Sequence, residues 1–250
     1  IEKSWHIPNL EIYTSMEATK HQAEYIRDGL DYDYWKENIH TVLKKGNIHK
    51  MHMMMTINSL CLTTITEFMD EMLEIRDEYG QRAPTMTLNI LRFPSFQSAA
   101  ILPTHIKTFY KDKLQKWFSG DNAQNGLHDG EKASVQRLID YLDIVKTPHK
   151  NTAETPKLYH DFKTFFEQYD VRRNKNFRET FKGPIADWYD TLKADVPTKE
   201  DILVKKDTIK IYNRAGDPAT TESYEGGDDV HEKVGGWDTK NDALGGVKVE

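Results

Sequence analysis

Cysteine is nearly absent: Cys61 is the single one in 250 residues. No disulfide can form within the chain, and no C-x-x-C pair offers zinc binding or thiol redox chemistry. A reducing compartment, the cytoplasm, is the expected location. Long apolar runs are missing as well. Nothing reaches the roughly 18 residues that a membrane helix needs, so no membrane partner is expected. Positive charge is in deficit: 34 Lys and Arg against 40 Asp and Glu leave a net charge of −6, which argues against attraction of the whole chain to nucleic acid or anionic lipid. The glycine signatures of phosphate and dinucleotide sites, G-x-x-x-x-G-K and G-x-G-x-x-G after a strand, do not occur, nor does the G-x-S-x-G elbow of an α/β-hydrolase. Ten histidines are scattered without H-E-x-x-H or comparable ligand spacing. A starting Met and a signal peptide are also lacking. Sequence close to Ile1 already reads as ordered protein, so the chain is expected to be a trimmed piece of a longer one.

What is present is strongly patterned. Residues 1–100 alternate strand, helix, strand, helix, strand. Leu10–Ser15 (LEIYTS), Met51–Ile57 (MHMMMTI) and Met86–Phe93 (MTLNILRF, closed by Pro94) are short apolar runs, the first expected to be a buried strand. Asp33–Lys45 spaces Tyr34, Trp35, Ile39, Val42 and Leu43 as a helix that Gly46 stops. Thr64 and Glu67 form a T-x-x-E capping-box pattern, opening a helix that carries Phe68, Met69, Met72 and Leu73 and ends near Gly80. Short apolar strands joined by helices of three turns or more predict parallel pairing, with cover on both faces. This is the βαβαβ unit of a doubly wound sheet or an α/β barrel.

Residues 101–192 predict a helical layer. Apolar stripes run through Ile106, Phe109, Tyr110, Leu114 and Trp117 after Pro103, through Val135, Leu138, Ile139, Leu142 and Val145 from about Glu131, and through Leu158, Phe162, Phe165, Phe166 and Tyr169 from about Pro156. A short helix is expected over Pro184–Leu192. The economical place for these stripes is the open side of the sheet. Residues 193–250 form an appendage. Ile202–Val204 and Thr208–Tyr212 make a candidate hairpin, and Arg214–Glu250 is too poor in large apolar residues to repay the entropy of ordering, which predicts disorder.

Ligands of βαβ folds sit at the C-terminal ends of the strands. The candidates there are Thr14, Ser15 and Glu17, then Asn58 and Ser59, then Arg92 and Ser95. Such residues suit a ribose, a carboxylate or a phosphate; the competing reading is that they cap strands and hold loops. Met51, Met53, Met54 and Met55 beside His49 and His52 carry copper-ligating atoms. Strand alternation sets the two histidines on opposite faces, so core filling is favoured for the methionines. Cys61 is expected to be buried and inert. Arg172, Arg173, Lys175, Arg178 and Lys182 around Phe177 and Phe181 mix cations with aromatics as single-stranded nucleic-acid sites do; a solvated helix end, whose cations suit the C-terminal dipole, is the favoured reading.

The run LEIYTSMEATKHQAEYIRDGLDYDYWKENIHTVLK, followed by KMHMMMTINSLCLTTITEFMDEML, resembles the second half of a radical S-adenosylmethionine barrel. The likeness lies in the polar pair that ends the first run, the Tyr25-Ile26-Arg27-Asp28-Gly29 element, the Trp35 to Ile39 helix, Thr56 to Asn58, and LNILRFPSFQS as a sixth strand. With QYDVRRNKNF and ADWY included, the chain is most similar to the phage-associated twitch-domain proteins of that family, over roughly residues 5–192. The resemblance implies a partial (β/α)6 barrel half over residues 1–100, a helical layer over 101–192 and the appendage beyond. It also implies cofactor-binding roles: Ser15 and Glu17 toward the ribose or methionyl part, Arg27 toward the carboxylate, Asn58 near the ribose, and Arg92 within the segment beside the adenine. The implied cofactors are S-adenosylmethionine and a 4Fe-4S cluster.

The family's Cys-x-x-x-Cys-x-x-Cys motif is missing, and one cysteine cannot supply the three thiolates that a cluster with an open iron requires. The expectation is therefore a fragment of a radical enzyme, inactive alone and binding no cofactor tightly, completed by the upstream portion of the same protein. Its substrate is unidentified, with peptide and RNA the candidates. The alternative is a non-catalytic module on a barrel-half scaffold that binds nucleic acid or protein.

Overall fold

The computed structural model describes residues 1–144 and 154–194. The chain divides into two units, 1–194 and 195–250; the second, with the expected hairpin and tail, lies outside the described residues.

Three parallel strands, β1 (Glu11–Ser15), β2 (Lys50–Ile57) and β3 (Thr85–Ile90), form one sheet in the order β1-β2-β3. The α/β reading and the parallel pairing stand; the described residues build a three-stranded open sheet, without barrel closure. α1 (Lys20–Ile26) and α2 (Tyr32–Lys45) link β1 to β2, and α3 (Ile65–Tyr79) links β2 to β3. The α2 start is fixed by Asp31, whose carboxylate accepts the Tyr34 amide at 2.9 Å. α1 is a helix that the apolar periodicity did not reveal, because within it only Ala23 and Tyr25 are buried.

One face of the sheet is buried. Met51, Met53, Met55, Ile57, Met86 and Leu88 point into a core with Leu43, Phe68, Met69 and Met72, so these methionines are packing residues, while Met54 is half-buried on the opposite face. Among the described residues the opposite face is left uncovered, contrary to the two-sided burial expected. Glu11, Tyr13 and Ser15 of β1, Thr56 of β2, and Thr87 and Asn89 of β3 are exposed. The sequence explains this: at those alternate positions the strands carry polar or amphipathic residues, so the period of two outweighs the impression of continuous apolar runs. β1 is accordingly an edge strand with Tyr13 61% exposed, not the buried strand expected of LEIYTS.

The helical layer forms but does not cover the open face. α4 (Thr104–Phe118) packs on α6 (Asp129–Ile144), and α6 lies along the outer edge of β3. There Glu131 accepts the Met86 amide at 2.7 Å and Arg137 donates to the Leu88 carbonyl at 2.6 Å, so side chains occupy backbone groups that a further strand would need. The short α5 (Asp121–Gly126) joins them. α7 (Glu154–Arg173) packs instead on the turns that follow β3, with α8 (Phe177–Thr180) and α9 (Pro184–Thr191) behind it. No helix of the described residues is long and apolar enough to cross a membrane.

Candidate functional site at the strand ends

The chain turns inward after β1, burying Met16, Glu17, Ala18 and Thr19. A carboxylate there needs a partner. Arg27, the residue that closes α1, supplies it: Nη2 donates to Glu17 Oε2 at 2.5 Å. The same oxygen also accepts the Thr56 amide at 3.4 Å, tying the β1 end to the β2 end. Arg27 keeps 31% of its side chain exposed, and its Nε–H is buried without a hydrogen-bond partner.

Asn58 follows β2. Its Oδ1 accepts the Leu60 and Cys61 amides at 2.9 and 3.0 Å, a side-chain turn that redirects the chain toward α3. Cys61 is buried as expected, its thiol donating to the Asn58 carbonyl. Burial, reinforced by the Glu17 charge, pushes the Cys61 thiol well above its ordinary value, which leaves it inert. Thr64 and Glu67 do not form the expected capping box. Thr64 Oγ1 accepts the Thr19 amide at 3.2 Å, and Glu67 accepts from Thr66 and Lys113. A contact across the fold has taken the hydroxyl from its own helix.

Of the sequence-derived candidates, Glu17 and Arg27 meet directly, with Asn58 two residues beyond the Thr56 amide they share. Ser15 ends β1 exposed, in register with Met54 of β2. Arg92 follows the last ladder bond, from the Leu91 amide to the Ile57 carbonyl, and is exposed beside Phe93, 83% exposed; Arg92 makes no hydrogen bond or ion pair among the described residues. The strand ends thus gather one committed ion pair, one unpaired guanidinium and several free polar groups at one rim of the sheet. Sequence reading passed over Gln97 as a site residue and took Phe165, Phe166 and Tyr169 only as a packing stripe. In the structure these line a cleft beside Asn58 and Ser59.

The basic segment arranges itself otherwise than a nucleic-acid platform requires. Phe177 and Phe181 are fully buried, and Tyr189 stacks on Phe177 at 3.9 Å. Arg173 pairs with Asp28 at 3.1 Å, Lys175 with Asp28 at 3.4 Å, and Arg178 with Asp190 at 2.6 Å. Its aromatics are therefore core, and most of its cations are already matched by carboxylates.

Among the described residues no three His, Cys, Asp or Glu side chains are grouped to hold a metal ion. A 4Fe-4S cluster does not fit this chain, since its one thiol is buried and committed to Asn58. The orphaned Arg27 Nε–H is a donor of the kind that a carboxylate, such as that of S-adenosylmethionine, would accept from.

No protein-family model, curated protein or solved structure matches the chain.

Proposed function

We propose that this chain is the second half of a radical S-adenosylmethionine-type partial barrel, and that its strand ends bind and orient the cofactor. The observation that carries the reading is the Arg27 guanidinium. It is anchored to Glu17 by one nitrogen and leaves a buried donor unpaired at the rim where βαβ folds bind ligands. Arg27 would hold the cofactor carboxylate, Ser15 and Asn58 its ribose, and Arg92 with its neighbours the adenine. Two features of the sheet support the assignment: a polar face left open, as the inside of a barrel would be, and the blocked edge of β3, as befits a last strand. Bound beside a cluster, such a cofactor would supply radical chemistry. The cluster must come from residues outside this sequence, and the chain itself contributes binding, orientation and exclusion of water.

Equilibrium dialysis against S-adenosylmethionine tests the reading. Weak, millimolar binding is expected. Arg92→Met, which breaks no contact of the fold, should reduce it about three- to tenfold, the loss expected for one charge-assisted contact at a solvated site. Binding that Arg92→Met and Arg27→Lys both leave unchanged contradicts the assignment.

A further inference from the structure

On the side of Asn58 that faces α1 and α7 lies a cleft of about 70 Å³. One water needs on the order of 10–15 Å³ on that scale, so the space admits one small ring and not a fused pair of large ones. Its walls are the rings of Tyr25, Phe165, Phe166 and Tyr169. The two phenols are spoken for: Tyr25 donates to Asp170 at 2.7 Å and Tyr169 to the Tyr25 carbonyl at 2.8 Å, so the tyrosines offer the cleft their rings rather than their hydroxyls. Phe165 and Tyr169 stack at 5.9 Å, and Phe165 is partly exposed at the mouth.

Two polar side chains along this aromatic wall are uncommitted. The Ser59 hydroxyl is buried and has no hydrogen-bond partner, an arrangement that native structures rarely leave unexplained. The Gln97 carboxamide has none among the described residues. The two residues are neighbours, because the Ser59 amide donates to the Gln97 carbonyl at 2.9 Å. Ser59 shows no exposed surface and is one of the residues that line the cleft. Every lining residue is neutral, which selects against a charged ligand.

We propose that this cleft binds a pyrimidine base, its ring held among the aromatics and its amide edge read by Ser59 and Gln97. A hydroxyl and a carboxamide each donate and accept, and a pyrimidine edge presents a donor and acceptors side by side. Stacking with edge hydrogen bonds is how unpaired bases are recognised. The cleft adjoins the proposed cofactor positions at Asn58, which lines it, but its pyrimidine reading rests on Ser59, Gln97 and the aromatic wall and not on the cofactor.

The test is a titration of the isotopically labelled chain with uridine, followed by two-dimensional amide NMR, with benzene as a ring that lacks the polar edge. Uridine should shift the Ser59 amide and the Gln97 side-chain NH₂. Ser59→Ala and Gln97→Leu should each weaken uridine about five- to tenfold and leave benzene unchanged, the loss of one hydrogen bond. Tetrauridylate binding tighter than uridine at the same resonances assigns the base to a single strand, and equal affinity assigns it to a free nucleoside. The proposal is overturned if uridine leaves Ser59 and Gln97 unmoved, if the variants bind it as well as the wild type, or if S-adenosylmethionine displaces it. The last result would give the cleft to the cofactor.

Discussion

Glu131 is the residue on which most of the β3 edge depends. It is buried, receives Arg76 through both carboxylate oxygens at 2.7 and 2.8 Å, and accepts the Met86 and His128 amides. Burial alone would raise its pKa, but Arg76 and the two amides outweigh burial and hold the carboxyl below its ordinary 4.5. A depressed acid stabilises the fold above the unfolded value and loses that contribution as pH falls below it. Stability should therefore decline below about pH 4.5, and Glu131→Gln should flatten that acid limb. The same variant leaves Arg76 buried without its counter-charge and should lose about 3–5 kcal/mol at neutral pH, read by urea unfolding. An unchanged acid limb would assign it to other carboxylates. Nothing in the sequence marked Glu131 beyond its place near a helix start. Its partners lie on α3 and at β3, and contacts so distant along the chain leave no local pattern. Glu17 was legible because the position after a parallel strand is itself a site signal, whereas Arg27, at the end of α1, was named only through the family resemblance.

At the scale of elements, apolar periodicity recovered the three strands of the described residues and most of their helices, missed α1, where only Ala23 and Tyr25 are buried, and failed at one cap where a distant partner overrode local chemistry. The Thr64 hydroxyl serves Thr19 across the fold instead of capping α3. The other end of α3 was legible: Gly80 closes it at φ 61° and ψ −134°, a region essentially confined to glycine. Gly80→Ala should destabilise by about 1–3 kcal/mol although no atom crowds the new methyl, since the penalty is in the backbone. Gly130→Ala, in the first turn of α6 with equally open space, should leave stability unchanged or raise it by up to about 1 kcal/mol. Thermal unfolding of the two variants side by side separates them; equal losses would mean that side-chain space and not φ governs both positions.

For the whole molecule, the uncovered sheet face is the feature that local patterns could not deliver. Alternation tells which residues share a face, but which helix covers that face is decided by packing. Here α6 takes the edge of β3 and α7 takes the strand ends. A single cysteine makes the open face directly measurable. Thr56→Cys and Thr87→Cys should be alkylated about as fast as a free thiol, whereas buried Cys61 should react only on unfolding. Slow labelling at both introduced positions would mean that the face is covered in solution.

The cofactor reading rests on the rim of that sheet, and the most direct measurement is amide and arginine Nε–H NMR of the chain titrated with S-adenosylmethionine. The prediction is shifts confined to Ser15, Arg27 Nε–H, Asn58 and Arg92, with the core of α3 silent. No shift at millimolar cofactor, or shifts that miss Arg27 and Arg92, would contradict it.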